Sequence, residues 1–525
     1  MILRNALVFF FFCLNAYQSA KILFVSPNLS NSMVMYTGRM ADVLVKAGHQ
    51  VTFFIPETST FNKLNGTKLA KVVRMHDLGR FFDEVMMSHG DPFEAQSPSF
   101  FDHRMEVISQ YRVCEEILKR KDELEALKAE NFDLAIADNV DFCDISLIHM
   151  LEIPVHIWTT TGPMHEIAAW ALGVPSESAY VPATWDNFLS PVMSIGERAY
   201  NLLQHYVGRI HALELDIQVT RLFRKYVRPD FPSAAALAAD SAIMFMNGDQ
   251  FFDPVRPLPS KCINIGGVGL TRPQKLSADF QEMAMKGKKG FIIFALGTAA
   301  PTRAVASWRK KALVDAFARF TDYHFIVKMD SEDFDFENMT RQVDNIDAVS
   351  WIPQSDLLAH PRAKLFITHG GYNSILESGI RGVPMLVLPL FFDQHRNAKA
   401  IEYRKLGIAL EPSKITGDLV ASKLSELLTN PIYQQNADRH SRLFRTKPDQ
   451  PDETLIKWVD FVLQNGNLPE LRPELANMNF IVYNNLDILA LLVMSVTLCI
   501  YLAVLLCRKF SQLRENLMVV KLKYA

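Results

Sequence analysis

The stretch from Trp351 to Asn397 decides the fold of this chain; it reads WIPQSDLLAHPRAKLFITHGGYNSILESGIRGVPMLVLPLFFDQHRN. A short apolar run, from Lys364 to Thr368, has the composition of a buried strand and ends at a His-Gly-Gly triplet. A helical pattern follows, and Gly382 interrupts it before a second apolar run begins at Met385. The stretch therefore predicts strand, glycine-rich turn, helix and strand, which is a βαβ unit of a parallel sheet.

The turn before the predicted helix suits a phosphate group. Glycines at 370 and 371 let the backbone approach a ligand closely. The first turn of a helix also offers free N–H groups and the positive end of the helix dipole to an anion. We therefore expect a diphosphate to bind at this turn.

Polar residues extend this pattern on both sides at fixed spacing. Trp351 and Gln354 precede the strand, His-x-Gly-x-Asn-Ser-x-x-Glu runs from His369 to Glu377, and Asp393-Gln394 follows the second strand. This series resembles the signature of the UDP-glycosyltransferases. The chain is similar to animal UDP-glucuronosyltransferases over nearly its whole length.

The resemblance implies a binding site for a UDP-sugar. Trp351 would stack on the uracil, since an indole face suits a flat base, and Gln354 would bind the base edge or the ribose. Glu377 would accept hydrogen bonds from the ribose hydroxyls, as acidic residues do in dinucleotide-binding folds. The expected phosphate-binding residues are His369, Gly371, Asn373 and Ser374, together with Thr298 in an earlier strand-to-helix turn. The expected sugar-binding residues are Asp393 and Gln394. Taken singly, a core tryptophan, a helix-capping asparagine and an exposed glutamate are ordinary features, so the whole set carries the prediction.

The resemblance also implies the GT-B fold, an α/β architecture of two Rossmann-like domains that face each other across a cleft. We expect an N-terminal acceptor-binding domain at 21–260 and a C-terminal UDP-sugar-binding domain at 261–480. Residues 242–247 are expected to form the last strand of the first domain. A linker rich in proline and glycine follows at 254–269, and the last helix before residue 466 is expected to cross back onto the first domain.

Both ends of the chain have the composition of membrane-targeting segments. Residues 1–20 combine one basic residue with an apolar run and small residues at the end, which predicts a signal peptide. Twenty uncharged residues, Ile488 to Cys507, are long enough to cross a bilayer, and a soluble buried helix is the alternative. We therefore expect a single transmembrane helix at 486–507 and a cytosolic tail at 508–525, since positive charge follows the span. Lys521 and Lys523 resemble a retrieval signal of the endoplasmic reticulum, although an ordinary basic tail remains an alternative. The expected product is a type I protein of that membrane.

Composition excludes some other functions. The chain has 525 residues, of which 49% are hydrophobic, and its net charge is −2, so a nucleic-acid partner is not expected. Its cysteines and histidines lack metal-binding spacing, so we expect no metal and no cofactor, only UDP-glucuronate or UDP-glucose as co-substrate. The chain could act alone or as a homo- or hetero-oligomer.

Three cysteines remain outside the terminal segments, so at most one disulfide is expected. Glycosylation sequons begin at Asn28, Asn65 and Asn338, and we expect the last two to be used because Asn28 lies near the expected active site.

The resemblance implies inverting sugar transfer, assisted by a histidine base that an aspartate orients. Asp138, at the end of an apolar strand, matches the aspartate, although a helix cap is the alternative interpretation. The position of the histidine is occupied by Met33. Two functions therefore stay open: a working transferase for small lipophilic acceptors, and a UDP-sugar-binding homologue with little or no activity. If another base exists, His165 is the candidate.

Overall fold

The structure is a computed structural model. It describes residues 19–60, 62–81, 83–84, 91–94, 100–184, 187–270, 273–297, 300–474 and 478–523. The chain divides into two compact units, one up to Arg472 and one from Pro473 onward. Residues 1–18 of the predicted signal peptide lie outside the described residues, and Thr298 also lies outside them.

Two parallel sheets organise the described part of the first unit. The first has seven strands in the order β3-β2-β1-β4-β5-β6-β7. The strands are β1 (Lys21–Val25), β2 (Gln50–Pro56), β3 (Lys71–Met75), β4 (Leu134–Asp138), β5 (His156–Thr160), β6 (Met244–Met246) and β7 (Cys262–Asn264). The helices of this half are α1 (Asn31–Lys46), α2 (Phe100–Lys119), α3 (Lys121–Lys128), α4 (Cys143–Met150), α5 (Glu166–Ala171), α6 (Ile195–Tyr226) and α7 (Ala234–Ala239).

The second sheet has six strands in the order β10-β9-β8-β11-β12-β13. The strands are β8 (Gly290–Ala295), β9 (Tyr323–Lys328), β10 (Ile346–Val349), β11 (Ala363–Thr368), β12 (Met385–Val387) and β13 (Gly407–Ala409). The helices are α8 (Ala278–Met285), α9 (Ser307–Phe317), α10 (Phe334–Thr340), α11 (Gln354–Leu358), α12 (Tyr372–Arg381), α13 (Gln394–Tyr403), α14 (Gly417–Thr429), α15 (Pro431–Thr446) and α16 (Pro451–Asn465). Short 3₁₀ turns lie at Thr302–Ala304, Pro412–Lys414 and Pro469–Leu471.

Each sheet is covered on both faces, which explains why its strands are continuous apolar runs. In β1, Leu23 and Val25 pack into one core, whereas Ile22 and Phe24 pack into another on the opposite face. The second sheet repeats this arrangement. Both sheets therefore have the strand order of Rossmann-like domains, as predicted, and each has a switch point where the order reverses.

Helix α16, the last α-helix of the first unit, packs against the first sheet. Leu455, Val459 and Val462 of α16 are buried in the same core as Ile22 and Phe24 of β1. The spacing of these three residues, four and then three apart, puts them on one face of the helix. The predicted crossing of the last helix onto the first half is confirmed.

The strand at Met244–Met246 is not the last of its sheet, which corrects the prediction for residues 242–247. β7 pairs in parallel with β6 within the segment that was expected to be only a linker. A three-residue edge strand between prolines and glycines has no measurable alternation, so it has no period from which the strand could be predicted. One disulfide, between Cys114 and Cys143, joins α2 to α4, in agreement with the limit of one bridge.

The second unit contains α17 (Phe480–Tyr483) and the long helix α18 (Leu486–Lys523). Its stretch Leu486–Met518 is long and apolar enough to cross a membrane, and it includes the predicted span. Its leucines and valines are exposed along the helix. This composition indicates a membrane anchor.

Candidate functional site

The switch point of the second sheet lies between β8 and β11, whose last residues, Ala295 and Thr368, are paired. Gly297 follows β8 and His369 follows β11, and the two residues pack against each other. A Cβ atom on Gly297 would lie 2.7 Å from the imidazole, and Gly297 has a φ of +77°, which favours glycine. Both turns therefore meet at the point where ligands of parallel sheets bind.

The imidazole of His369 is partly buried, and it is neutral at pH 7. Burial lowers its pKa to about 4, and the positive charge of Lys328 acts in the same direction. The Lys328 ammonium donates to the Gly297 carbonyl at 2.8 Å, so a cation lies directly behind the turn. A neutral imidazole offers one donor and one acceptor. At this position it can donate to a phosphate oxygen.

Helix α12 begins immediately after this turn, and no side chain caps it at Gly371. Its first N–H groups, which include those of Asn373 and Ser374, have no partner within the helix. Gly371 itself packs on the imidazole, since a Cβ atom there would lie 2.5 Å from Nε2 of His369. The first turn of α12 therefore presents N–H donors beside the neutral histidine.

Gln354 and Glu377 are linked directly. The Gln354 amide donates to the Glu377 carboxylate at 2.8 Å and lies 3.3 Å from the Ser374 hydroxyl. The sequence placed these three residues in one site, and the structure brings them together. Trp351 stands a few residues before α11 with 53% of its surface exposed, which leaves its ring available for stacking.

Asp393 precedes helix α13 and Gln394 is its first residue. Side-chain oxygens of both residues accept hydrogen bonds from other groups of the protein. The side-chain oxygen Oε1 of Gln394 accepts from the backbone N–H of Leu390 at 2.8 Å, and the Asp393 carboxylate accepts from the side-chain amide of Asn397 at 2.7 Å. These bonds fix the loop that leads into the helix. Gln394 can offer a ligand its amide hydrogens while its oxygen holds the loop.

Asn373 contacts the first half of the molecule. Its side-chain oxygen accepts from Arg39 at 3.1 Å and from Asn247 at 2.8 Å, and its amide donates to the carbonyl of Ser32 at 3.0 Å. Arg39, Asn247 and Lys328 were not predicted to lie at this site. Nothing in their local sequence marks them, since they reach the site only through the contact between the halves and the pairing of the strands.

The switch point of the first sheet lies between β1 and β4. Val25 pairs with Ala137, so Ser26 and Asp138 are the next residues at this edge. Asp138 is buried, and one of its oxygens accepts from the Thr161 hydroxyl at 2.8 Å. Burial raises the pKa of Asp138 to about 7, and the Thr161 hydroxyl opposes that effect in part. A carboxylate that titrates near neutrality suits proton transfer.

Met33 lies in the first turn of α1, which the Ser30 side chain caps through the Met33 N–H. No proton-accepting side chain replaces the expected histidine at this position. The other candidate, His165, precedes α5 and is partly buried, and desolvation lowers its pKa to about 4. His165 is therefore a weak base.

Comparisons with known proteins agree with this geometry. The family described as "UDP-glucoronosyl and UDP-glucosyl transferase" matches residues 20–518. The chain is 31% identical over 494 residues to "Putative UDP-glucuronosyltransferase ugt-50" of Caenorhabditis elegans, covering 91% of this chain and 94% of the relative. It is 28% identical over 474 residues to human UDP-glucuronosyltransferase 3A2, covering 87% of each.

Solved glycosyltransferases share the fold. Glycosyltransferase VinC in complex with DTDP aligns with a TM-score of 0.57 at 15% identity, over 85% of this chain and 100% of that one. CalG4, the calicheamicin glycosyltransferase, aligns with a TM-score of 0.57 at 17% identity, over 85% of this chain and 98% of that one. These likenesses show the predicted GT-B fold. The family match over residues 20–518 establishes that the chain belongs to the UDP-glycosyltransferase family, whose enzymes transfer a sugar from a UDP-sugar.

Proposed function

We propose that the chain transfers glucuronate or glucose, with inversion, to a small lipophilic acceptor that carries an acidic hydroxyl or a nitrogen nucleophile. The observation that carries this proposal is the environment of Asp138. Its second carboxylate oxygen is buried and accepts no hydrogen bond from a side chain among the described residues, although the backbone N–H groups of Asn139 and Val140 lower its pKa in part. A buried carboxylate with one oxygen free of side-chain partners and a pKa near 7 has the properties of a general base.

In the proposed reaction, the acceptor attacks the anomeric carbon from the face opposite UDP. The bond between that carbon and the diphosphate oxygen breaks, and its electron pair leaves with UDP. The acceptor proton passes to Asp138, either directly or through a water. Lys328, His369 and the first turn of α12 would stabilise the charge that develops on the diphosphate.

Met33 determines the proposed acceptor class. A thioether has no useful proton affinity, and general-base help typically contributes about 10²–10⁴-fold. Phenols and carboxylic acids release a proton easily, and amines attack through a lone pair, so these acceptors depend least on a well-placed base. Aliphatic alcohols hold their proton tightly and should react slowly.

The donor would lie on the second half. Trp351 would stack on uracil, Gln354 and Glu377 would bind the ribose, and Asp393 and Gln394 would bind the sugar. Thr298 would add a hydroxyl at the diphosphate. In this proposal, residues 21–260 bind the acceptor and residues 261–480 bind the donor.

A second candidate function is binding of a UDP-sugar without transfer. The same Met33 favours it, since the usual base position holds no base. The test is turnover by the full-length purified protein with UDP-glucuronate and UDP-glucose against a panel of phenols, carboxylic acids, amines and aliphatic alcohols. Transfer to the first three classes supports the enzyme, whereas UDP binding without turnover of any class supports the binding protein.

The proposed location is the endoplasmic-reticulum membrane, with residues 21–485 in the lumen. The apolar helix α18 and the basic residues that follow the predicted span support this orientation. Protease added to sealed microsomes should remove only the tail at 508–525. If the protease digests residues 21–485 instead, the proposed orientation is wrong.

A further inference from the structure

Arg39, on helix α1 of the first half, reaches into the proposed ribose site of the second half. Its guanidinium donates to Asn373 at 3.1 Å, and its other terminal nitrogen lies 3.9 Å from the Glu377 carboxylate. Both charged side chains are nearly buried, with 14% and 10% of their surfaces exposed. The first half therefore supplies the cation that faces the carboxylate proposed to bind the ribose.

The stem of Arg39 is held by the segments that connect the halves. Gly269 packs against it so closely that a Cβ atom there would lie 2.8 Å from the Arg39 Cβ. The Gly269 N–H donates to Asp452, in the first turn of α16, at 2.8 Å. Linker and crossing helix thus fix the direction in which Arg39 points.

Glu377 needs a counter-ion to act as an acceptor. Burial raises the pKa of Glu377, and the charge of Arg39 is the largest effect opposing that rise; Gln354 and Arg381 add to Arg39, whereas Asp356 opposes it. A protonated carboxyl would lose much of its capacity to accept from two hydroxyls. Gln354 uses one oxygen of Glu377, so the other lone pairs remain for a ribose.

We propose that Arg39 is a donor-positioning residue: it reaches across the interface between the halves and holds the Glu377 carboxylate ionised and oriented for the ribose hydroxyls of the UDP-sugar. This inference rests on the proposed ribose role of Glu377. It makes the donor site a product of both halves, so that the site is complete only where α1 meets α12.

The test is calorimetric binding of UDP and of 2′-deoxyuridine diphosphate to the full-length protein in detergent. Arg39→Met should lower the affinity for UDP by about tenfold or more, which is the scale of one lost hydrogen bond between the ribose and the charged Glu377. Binding of the deoxy analogue, which lacks one of the two hydroxyls, should change much less. Arg39→Lys should recover part of the loss, and Arg39→Met should add little in a Glu377→Gln background.

The pH dependence separates positioning from a structural role. Ribose binding requires ionised Glu377, so UDP affinity falls as pH falls through its pKa. Without Arg39 that pKa rises, and the fall in UDP affinity should begin at higher pH in Arg39→Met than in wild type. The control is Arg74→Met, because Arg74 has a similarly buried side chain and pairs with Glu57 inside the first half. That variant should bind both ligands as wild type does.

Three outcomes would overturn the proposal. If Arg39→Met binds UDP as wild type does, Arg39 has no part in donor binding. If it weakens both ligands equally with an unshifted pH profile, its role is structural. A wild-type chain that binds no UDP removes the proposed donor site itself, which distinguishes failure of the proposed function from failure of the Arg39 inference.

Discussion

At the switch point of the second sheet, several polar side chains hydrogen-bond to one another, whereas at the switch point of the first sheet the Asp138 carboxylate has few side-chain hydrogen-bond partners. Gln354 bonds Glu377, Gln394 fixes its own loop, and Lys328 supports the turn beside His369. Asp138 has a single side-chain partner, Thr161, among the described residues. The same strand order thus supports a densely hydrogen-bonded cluster, which we propose as the donor site, and a sparser one, which we propose as the acceptor site.

The difference has a physical basis. A UDP group has fixed hydrogen-bonding atoms and charge, and a site built for it needs its polar groups preorganised. Lipophilic acceptors share little besides a nucleophile, so a single buried base serves many of them. The predictions below test this contrast, from the largest expected effect to the smallest.

Asp138→Asn should reduce transfer by about 10²–10⁴-fold, since it removes the only proposed base. In the wild type, burial raises the pKa of Asp138 to about 7, so the ionised, active form increases with pH. We expect kcat/KM for a phenol to rise up to about pH 7 and then level off. The variant should lose this dependence while its affinity for UDP is unchanged.

The matched control is Asp141→Asn, three residues away. The Asp141 carboxylate accepts from the Cys143 N–H at 2.7 Å, so it holds the chain just before helix α4. Its charge also contributes to the raised pKa of Asp138, so the variant should stay active with its pH midpoint slightly lower. Equal loss of activity in both variants would mean that Asp138 acts through the fold rather than as a base.

Met33→His should raise turnover of an aliphatic alcohol by about tenfold or more and that of a phenol much less, because the alcohol depends more on a base. The measurement is the ratio of kcat/KM for the two acceptors in variant and wild type. A wild type that uses alcohols as readily as phenols would contradict the sparse acceptor site and require another base. His165→Gln would then be the next variant, because His165 is the other candidate base even though desolvation lowers its pKa to about 4.

Trp351→Ala should weaken UDP binding by about 1–3 kcal/mol, the scale of a lost stacking contact. Its ring is 53% exposed, so the substitution should leave thermal stability nearly unchanged. Trp308→Ala is the control, because that ring is 56% exposed on α9. Calorimetry that finds equal UDP affinity in both variants would remove uracil stacking from the donor site.

Glycosylation should distinguish the two exposed sequons from the buried one. Asn28 is fully buried, and its amide donates to the carbonyls of Ser59 and Asn62, so a glycan has no access to it. Asn65 and Asn338 are exposed. Asn65→Gln and Asn338→Gln should each remove one glycan in a mobility assay, whereas Asn28→Gln should remove none. A glycan on Asn28 would contradict the packing around it.

The two parallel sheets and the residues of the UDP-sugar motif could be predicted from local sequence patterns. The apolar runs of β8 and β11 are long enough to predict, and the residues from Trp351 to Gln394 lie within one βαβ unit whose geometry local spacing dictates. A weak or very short element such as β7 escaped prediction, since its pairing with β6 depends on the sheet already present.

The surroundings of those residues could not be predicted, because they depend on contacts between distant parts of the chain. Arg39 and Asn373 are 334 positions apart, and no local pattern joins them; the linker and the packing of α16 bring them together. The raised pKa of Asp138 likewise comes from burial by several distant segments, and a strand-end aspartate in the sequence carries no such information. Periodicity and spacing act locally along the chain, whereas electrostatics and burial depend on every group that folding brings near.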